Sequence, residues 1–376
     1  MTPRENAQSP YQNGNKGDDP EVFVPRLVSW NTTFRCNLRC PHCYLDAGKE
    51  ERGGELTTEE GKRLIDQIAE VSSPLLIFSG GEPLLRKDIF DLARYATDKG
   101  LKTALGTNGT LITEPIAERL LSSGVKVVAV SIDSSLPGRH DGFRGVQGSW
   151  KRAMQGIEVC TQHGIDIQVN TTVTPQNYQE IDAILALAEN LGARSFHLFF
   201  LVPTGRGVNV RDISGEQYEH LIEGLLDTLT TRSSSLMVRP VCAPQFLRIA
   251  TRKGMDRRRW GRGCIAGLTY CRVDPTGEVT PCPYLPLSVG NIRQTSFGDL
   301  WSHAPAFNVL RDRANLKGKC GRCEYREVCG GCRARAYGMT GPSSGSGCGE
   351  LPRSVEHGDF LAEEPWCPYQ PGGAEP

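Results

Sequence analysis

Nine residues constrain this chain more than any others: Cys36-Asn37-Leu38-Arg39-Cys40-Pro41-His42-Cys43-Tyr44. Their cysteines fall in a C-x3-C-x2-C spacing, directly after an apolar run at 27–30. A cubane iron–sulfur cluster has four irons, and cysteine thiolates are their usual protein ligands. Three closely spaced thiolates hold three corners and leave one iron open to a small molecule. Zinc would need a fourth ligand nearby. His42 lies between two of the cysteines and is cramped for closing a tetrahedral site.

The remaining composition narrows the setting. A chain of 376 residues has ample length for a buried core and two or three domains. Its 43 Lys and Arg balance 43 Asp and Glu, so no strong field draws it to nucleic acid or to an acidic membrane. No apolar run approaches the roughly 20 residues that span a bilayer. Residues 1–19 are polar, without the apolar core of an export signal, and read as a disordered tail. The expected location is therefore cytoplasmic. There, 14 cysteines in metal-type spacings mean metal ligands rather than disulfides.

From residue 27 to about 201 the pattern alternates. Short β-rich apolar runs occur at 27–30, 75–79, 102–107, 127–132, 166–172 and 195–201. Segments with helical periodicity fill the gaps at 57–71, 87–99, 114–123, 149–163 and 178–191. Thr57-Thr58-Glu59-Glu60 has the form of a helix start, and Gly100 and Gly124 stand where helices should end. Strands alternating with helices predict a parallel sheet, here a partial (β/α)6 TIM-like barrel. In such folds the chemistry sits at the C-terminal ends of the strands. The cysteine triad lies just past the first strand.

The other strand ends carry polar residues in turn. Gly80-Gly81-Glu82-Pro83 follows the second strand, where Glu82 or nearby carbonyls can accept from an ammonium group. Asn108 follows the third, and Ser131 and Asp133 the fourth, with Arg144 shortly after. Asn170 lies on the fifth. Period-two alternation puts His197 on one face of the sixth strand, either as a satisfied core histidine or facing substrate. Arg206 sits on a glycine-rich turn beyond that strand, well placed for a substrate carboxylate. A basic run, Arg252, Lys253, Arg257, Arg258, Arg259 and Arg262, reads as a solvated face with an anion-binding role as the sharper alternative.

A second cysteine-rich region follows: Cys264-x6-Cys271-x10-Cys282, then Cys320-x2-Cys323-x5-Cys329-x2-Cys332, then Cys348 and Cys367. Residues 272–281 read as a hairpin. A zinc ribbon would want a far longer gap than five residues between its pairs. Residues 342–358 are rich in Ser, Gly and Pro and read as an inserted flexible loop. Cys348 lies inside that loop, and a cluster ligand needs a fixed position, which favours Cys367. The expected organisation is a polar tail (1–24), the barrel (25–212), a helical and basic connector (213–262) and a cysteine-rich iron–sulfur domain (263–376).

These motifs resemble the radical S-adenosylmethionine (SAM) enzymes, through the cysteine triad with Tyr44 and the ordered strand-end residues. The second cysteine region resembles their SPASM extension, which carries auxiliary four-iron clusters. The resemblance implies a SAM-binding cluster on Cys36, Cys40 and Cys43, and a Gly80–Pro83 motif for the methionine amino group. It further implies ribose contacts from Asn108, Ser131 and Asp133, a carboxylate contact from Arg144, and Asn170 as a weaker candidate. By the same analogy Cys264, Cys271, Cys282 and Cys332 hold one auxiliary cluster. Cys320, Cys323 and Cys329 hold the other with either Cys367 or Cys348, of which the loop argument favours Cys367. The x2 gap before Cys332 departs from the usual x3. Segments 196–207, 242–248, 331–337 and 360–367 resemble the tetrapyrrole-modifying branch of the family, most closely the heme b synthases. That likeness implies oxidative decarboxylation of iron-coproporphyrin III, with reduced flavodoxin or ferredoxin as electron donor. Within the same branch stand deacetylation of a siroheme derivative and heme d1 synthesis. Two rivals lie outside it. A peptide-modifying SPASM enzyme often carries a leader-binding domain before the barrel, where a polar tail of about 25 residues is expected here. An iron–sulfur electron carrier would need no open iron.

Overall fold

The structure is a computed structural model that describes residues 23–231, 235–256, 261–340 and 358–372. Strand β1 (Leu27–Asn31) is followed by α1 (Thr58–Val71), β2 (Leu75–Ser79), α2 (Ile89–Asp98) and β3 (Lys102–Thr107). Next come α3 (Glu114–Ser122), β4 (Val127–Ser131), α4 (Pro137–Arg144) and α5 (Ser149–Gln162). The alternation continues through β5 (Asp166–Val173), α6 (Ile181–Asn190), β6 (Ser195–Phe200), α7 (Gly215–Thr231), β7 (Met237–Val241) and α8 (Phe246–Arg252). Short elements complete the chain: β8 (Tyr270–Val273), β9 (Glu278–Thr280), β10 (Gly290–Asn291), α9 (Phe297–His303), α10 (Pro305–Arg311), α11 (Gly318–Arg322) and α12 (Arg333–Met339).

All ten strands form one sheet in the linear order β10-β9-β8-β1-β2-β3-β4-β5-β6-β7. Strands β1 to β7 are parallel to their neighbours, as the strand–helix alternation predicts. Four strands extend the six expected ones. At one end β7 pairs with β6, inside the segment read as a helical and basic connector. At the other, β8 from the cysteine-rich segment pairs parallel to β1 and then turns back through β9. The sheet therefore continues into the iron–sulfur region rather than stopping before it.

Register decides which side chains share a face. Val28, Leu76, Val128, Ile167, Val169, Phe196 and Leu198 turn outward and pack with the helices in the main core. The opposite face carries smaller and more polar residues. Ser131 pairs with Asn170, Asn170 with His197, and His197 with Arg239, a polar row across four strands. Local signals match the helices: Thr57 and Glu60 form a reciprocal capping box at α1, satisfying two otherwise orphaned N–H groups.

The last described segment is tied to the barrel by a buried ion pair. Arg335 on α12 donates to Glu364 at 2.9 Å, and both side chains are essentially inaccessible. The same guanidinium donates to the Leu201 carbonyl at 2.8 Å, past the end of β6. Arg335→Met should destabilise the protein by about 3–5 kcal/mol, because Glu364 is left as an uncompensated buried charge. Denaturant unfolding checks this; a loss under about 1 kcal/mol would mean that the pair is dispensable.

Candidate cluster and cofactor site

The cysteine loop hangs from β1 and is braced by β2. Gly81 N donates to Thr33 O at 2.8 Å and Glu82 N to Arg35 O at 2.7 Å. A Cβ on Gly81 would lie 2.2 Å from the Arg35 carbonyl oxygen. The glycines of this motif thus admit the chain's own backbone, which draws the β2 end against the loop. Cys36 N donates to Gly48 O at 2.6 Å, and Gly48 N to Phe34 O at 3.1 Å, closing the loop at its base.

Each cysteine sulfur of the triad accepts one hydrogen bond. Leu38 N reaches Cys36 Sγ at 3.4 Å, Ala47 N reaches Cys43 Sγ at 3.4 Å, and Arg144 Nη1 reaches Cys40 Sγ at 3.5 Å. This donor set suits thiolates that bind a metal cluster, whose potential depends on such bonds. Burial pushes the Cys36 thiol up to about 12 and raises Cys40 as well. Loading a cluster must therefore displace protons. Tyr44 is held beside the loop by Asn31, whose amide donates to the phenol oxygen at 2.9 Å. Asn31 in turn accepts from Arg272 of β8 at 2.5 Å.

The strand-end residues gather around this loop. Arg144 pairs with Asp133 as well as with Cys40 Sγ, and its Nε has no partner although buried. Burial opposes ionisation of Asp133, but Arg144 outweighs it and holds the carboxyl below its ordinary value. An inward cation with an unused donor fits a SAM carboxylate. Asn108 makes contacts within the chain. Its amide donates to Asn37 Oδ1 at 2.8 Å and its oxygen accepts from Thr110, which fastens the β3 end to the cysteine loop. Ser131 and Asn170 lie side by side in register, and Asn170 accepts from Gln168 at 2.8 Å.

Glu82 is fully buried. Its carboxylate accepts from Thr107 Oγ1 at 2.8 Å, Asn108 N at 2.9 Å and Leu84 N at 3.2 Å. These bonds occupy the side chain within the chain's own structure. Burial raises Glu82 to about 7, against the pull of its donors. His197 stays neutral down to about 3, through burial and then Arg239 nearby.

Arg206 was expected at a substrate carboxylate, and the structure commits it elsewhere. Its guanidinium donates to Cys40 O at 2.9 Å, Ala47 O at 2.7 Å and Asp46 Oδ1 at 2.9 Å. It staples the cysteine loop. Spacing gives no hint of this, because the two segments are 166 residues apart in sequence. In the basic run, Arg252 and Lys253 pair with Glu219 and Asp227 of α7, the solvated-face arrangement. Arg257, Arg258 and Arg259 lie outside the described residues, as does Cys348.

In the second cysteine region, Cys320, Cys323, Cys329 and Cys367 line one pocket with Arg248 and Lys319. Cys320 Sγ accepts from Glu364 N at 3.3 Å and from Arg333 at 3.7 Å, again the surroundings of a bound thiolate. Cys332 and Cys282 meet in a separate apolar cluster. Cys271 does not join them: it lies on the outer face of β8, beside Val28 in the main core. Among the described residues, no group of three or more His, Cys, Asp or Glu side chains has the arrangement of a metal-ion site.

Comparison with known proteins decides the family. The radical SAM superfamily pattern matches residues 30–188. Over 360 residues the chain is 43% identical to the AdoMet-dependent heme synthase of Methanosarcina barkeri, covering 93% of this chain and 98% of that protein. This chain belongs to the radical SAM superfamily. An iron–sulfur cluster-binding SPASM domain matches residues 264–333. The AdoMet-dependent heme synthase of Nitratidesulfovibrio vulgaris is 40% identical over 361 residues, 92% of this chain and 93% of that one. Streptococcus suis SuiB, solved with its precursor peptide SuiA, has a TM-score of 0.70 at 20% identity over 84% of this chain and 73% of that one. That likeness is one of fold. The radical SAM chain is thus an enzyme whose cofactors are SAM and four-iron clusters. Among its described residues no helix is long and apolar enough to cross a membrane.

Two expectations follow for this radical SAM site. Arg206→Ala should lower SAM cleavage without any substrate by about tenfold, since a charge-assisted hydrogen bond gives roughly 1.5–3 kcal/mol. Iron bound at the triad should fall with it, and Arg206→Lys should restore part of both. Unchanged iron and cleavage would return Arg206 to a substrate role. Glu82 sets a pH dependence. Its folded value, about 7, lies above the ordinary 4.5, so unfolding releases a proton between the two. Its contribution to stability is therefore lost as pH rises through that window. Glu82→Gln should flatten this loss in denaturant midpoints measured from pH 5 to 8; identical slopes would exclude it.

Proposed function

We propose that this radical SAM enzyme converts two propionates of iron-coproporphyrin III into the vinyl groups of heme b by oxidative decarboxylation. What supports the substrate is similarity along nearly the whole chain, 43% and 40%, to two AdoMet-dependent heme synthases. Cys36, Cys40 and Cys43 would hold the SAM-binding cluster. The Gly80–Pro83 turn, Ser131, Asp133, Arg144 and Asn170 would surround SAM itself, with Asn108 bracing the loop. When bound, the cluster and SAM would supply the radical chemistry needed to remove a hydrogen atom from carbon.

The chain's own residues have the remaining work. Each propionate must give up a hydrogen atom, carbon dioxide and one electron to become vinyl. The carbon that loses hydrogen has to sit against the radical and away from water, so orientation supplies much of the rate. The polar row Asn170, His197 and Arg239 lies on the non-core face of the sheet, one to three strands from Ser131. Arg239 supplies positive charge for a propionate in that row. His197, neutral at working pH, can exchange hydrogen bonds there without adding charge. Reduced flavodoxin or ferredoxin is the electron donor of this reading.

The test is anaerobic incubation of the loaded enzyme with iron-coproporphyrin III, SAM and a low-potential reductant. Mass spectrometry should show a product that has lost two carboxyl groups, together with 5′-deoxyadenosine. Turnover of SAM with an unaltered porphyrin, and no porphyrin binding by absorbance, would overturn the substrate and leave the radical SAM chemistry standing.

A further inference from the structure

The family analogy names Cys264, Cys271, Cys282 and Cys332 as one auxiliary set, and the structure brings together only three of them. Cys282 lies near both Cys264 and Cys332. Cys271 is turned away. It occupies the register position of Val28, whose side chain belongs to the helix-facing core, and Cys271 belongs to that same core. Its neighbours Tyr270 and Arg272 take the opposite face, bonding Ser29 and Asn31 of β1. Bringing the Cys271 thiol to Cys282 would require a one-residue slip of β8, which would bury Arg272 in the apolar layer. In its present place Cys271 is a small core side chain.

A different cysteine lies beside Cys332 and Cys282. Cys242 follows β7 directly and packs with Cys332 and Cys282 in the second apolar cluster, among Val202, Leu268 and Leu285. The Cys242 and Cys332 side chains interact directly. Cys242 also has φ +60, one of only two positive-φ non-glycine residues among those described. That conformation is strained for an L-residue and persists only where the surroundings impose it. Arg335, fully buried, stands beside Cys332 as a compensating cation. Cys264 is fixed to the neighbouring pocket, since its N–H donates to Cys329 O at 3.0 Å.

We propose that Cys242, and not Cys271, joins Cys264, Cys282 and Cys332 to hold a second auxiliary iron–sulfur cluster. This rests on the iron–sulfur part of the functional reading and is independent of its substrate. The four thiols come from four separate segments, the β7 end, the turn before β8, the turn after β9 and the start of α12. Such a cluster would cross-link the last strand of the barrel to the iron–sulfur domain.

The test uses the full-length chain with Cys36, Cys40 and Cys43 changed to Ala, reconstituted anaerobically with iron and sulfide. No porphyrin enters the assay, so failure of the substrate reading cannot affect it. The background protein should hold about eight irons, two four-iron clusters. Adding Cys242→Ala should remove about four of them and one component of the reduced electron paramagnetic resonance spectrum. Adding Cys271→Ala should leave iron and spectrum unchanged, with at most a lower unfolding midpoint. Cys242→Ser, which keeps an oxygen donor and is less disruptive to packing, should retain iron in part with a shifted spectrum. Iron lost on Cys271→Ala and kept on Cys242→Ala would overturn the proposal. So would iron unchanged in all three variants, or stoichiometric zinc in place of the Cys242-dependent iron.

Discussion

The fold depends on holding three thiol groups in a short loop and keeping their sulfurs out of water. Burial alone opposes thiolate, as the raised Cys36 and Cys40 show. The structure answers with donors. Two backbone N–H groups and Arg144 reach one sulfur each, and Arg206 takes two carbonyls of the same loop. Arg144 is itself stabilised by Asp133 at the β4 end. The ends of β1, β2, β3 and β4 are thereby coupled to one loop. Displacing any of these strand ends changes the positions of the sulfurs, which is why the site needs a sheet rather than a flexible knuckle.

Much of this was legible in the sequence where one residue signals by itself. The limits of β2 and β3 follow from their apolar runs, and α1 from its capping box. Less legible was β7. Its five residues, Met-Val-Arg-Pro-Val, contain Pro240, which argues against a strand unless it lies at an edge, and an edge is where β7 lies. Helix α4 is only eight residues long and includes two glycines, so its periodicity is too short to register. Site chemistry was readable as far as residue type and order. Partners were not. Glu82, Asn108 and Arg206 are polar residues at the right strand ends, and each is spent on the protein's own backbone or side chains. Only the packing reveals whether a polar group faces a ligand or the chain itself.

The facing of Cys271 makes the same point for metal ligands. Motif spacing measures distance along the chain, whereas a ligand must also point the right way. In a strand, orientation reverses with every residue. Cys271 sits in the family's spacing and on the wrong face. Cys242 sits outside that spacing, and its unusual backbone angle is invisible in a sequence. The facing of Cys271 follows from one register, β8 beside β1, because that pairing fixes which of Tyr270, Cys271 and Arg272 turn toward Ser29 and Asn31.

That pairing also links the two halves of the molecule mechanically. Arg272 holds Asn31, Asn31 holds Tyr44, and Tyr44 is the residue after Cys43. On the far side Arg335 holds Leu201 and Glu364, with Cys332 and the Cys320 pocket adjacent. A shift in the iron–sulfur region therefore reaches the barrel at β1, next to the cysteine loop, and at the β6 end, next to the His197 row. Between these contacts lie strands whose outer faces share one close-packed core. Such a core resists deformation, so the relative positions of the cysteine sites are set by the sheet itself. For chemistry that needs reacting atoms held in line, rigidity of this kind is worth more than a larger pocket.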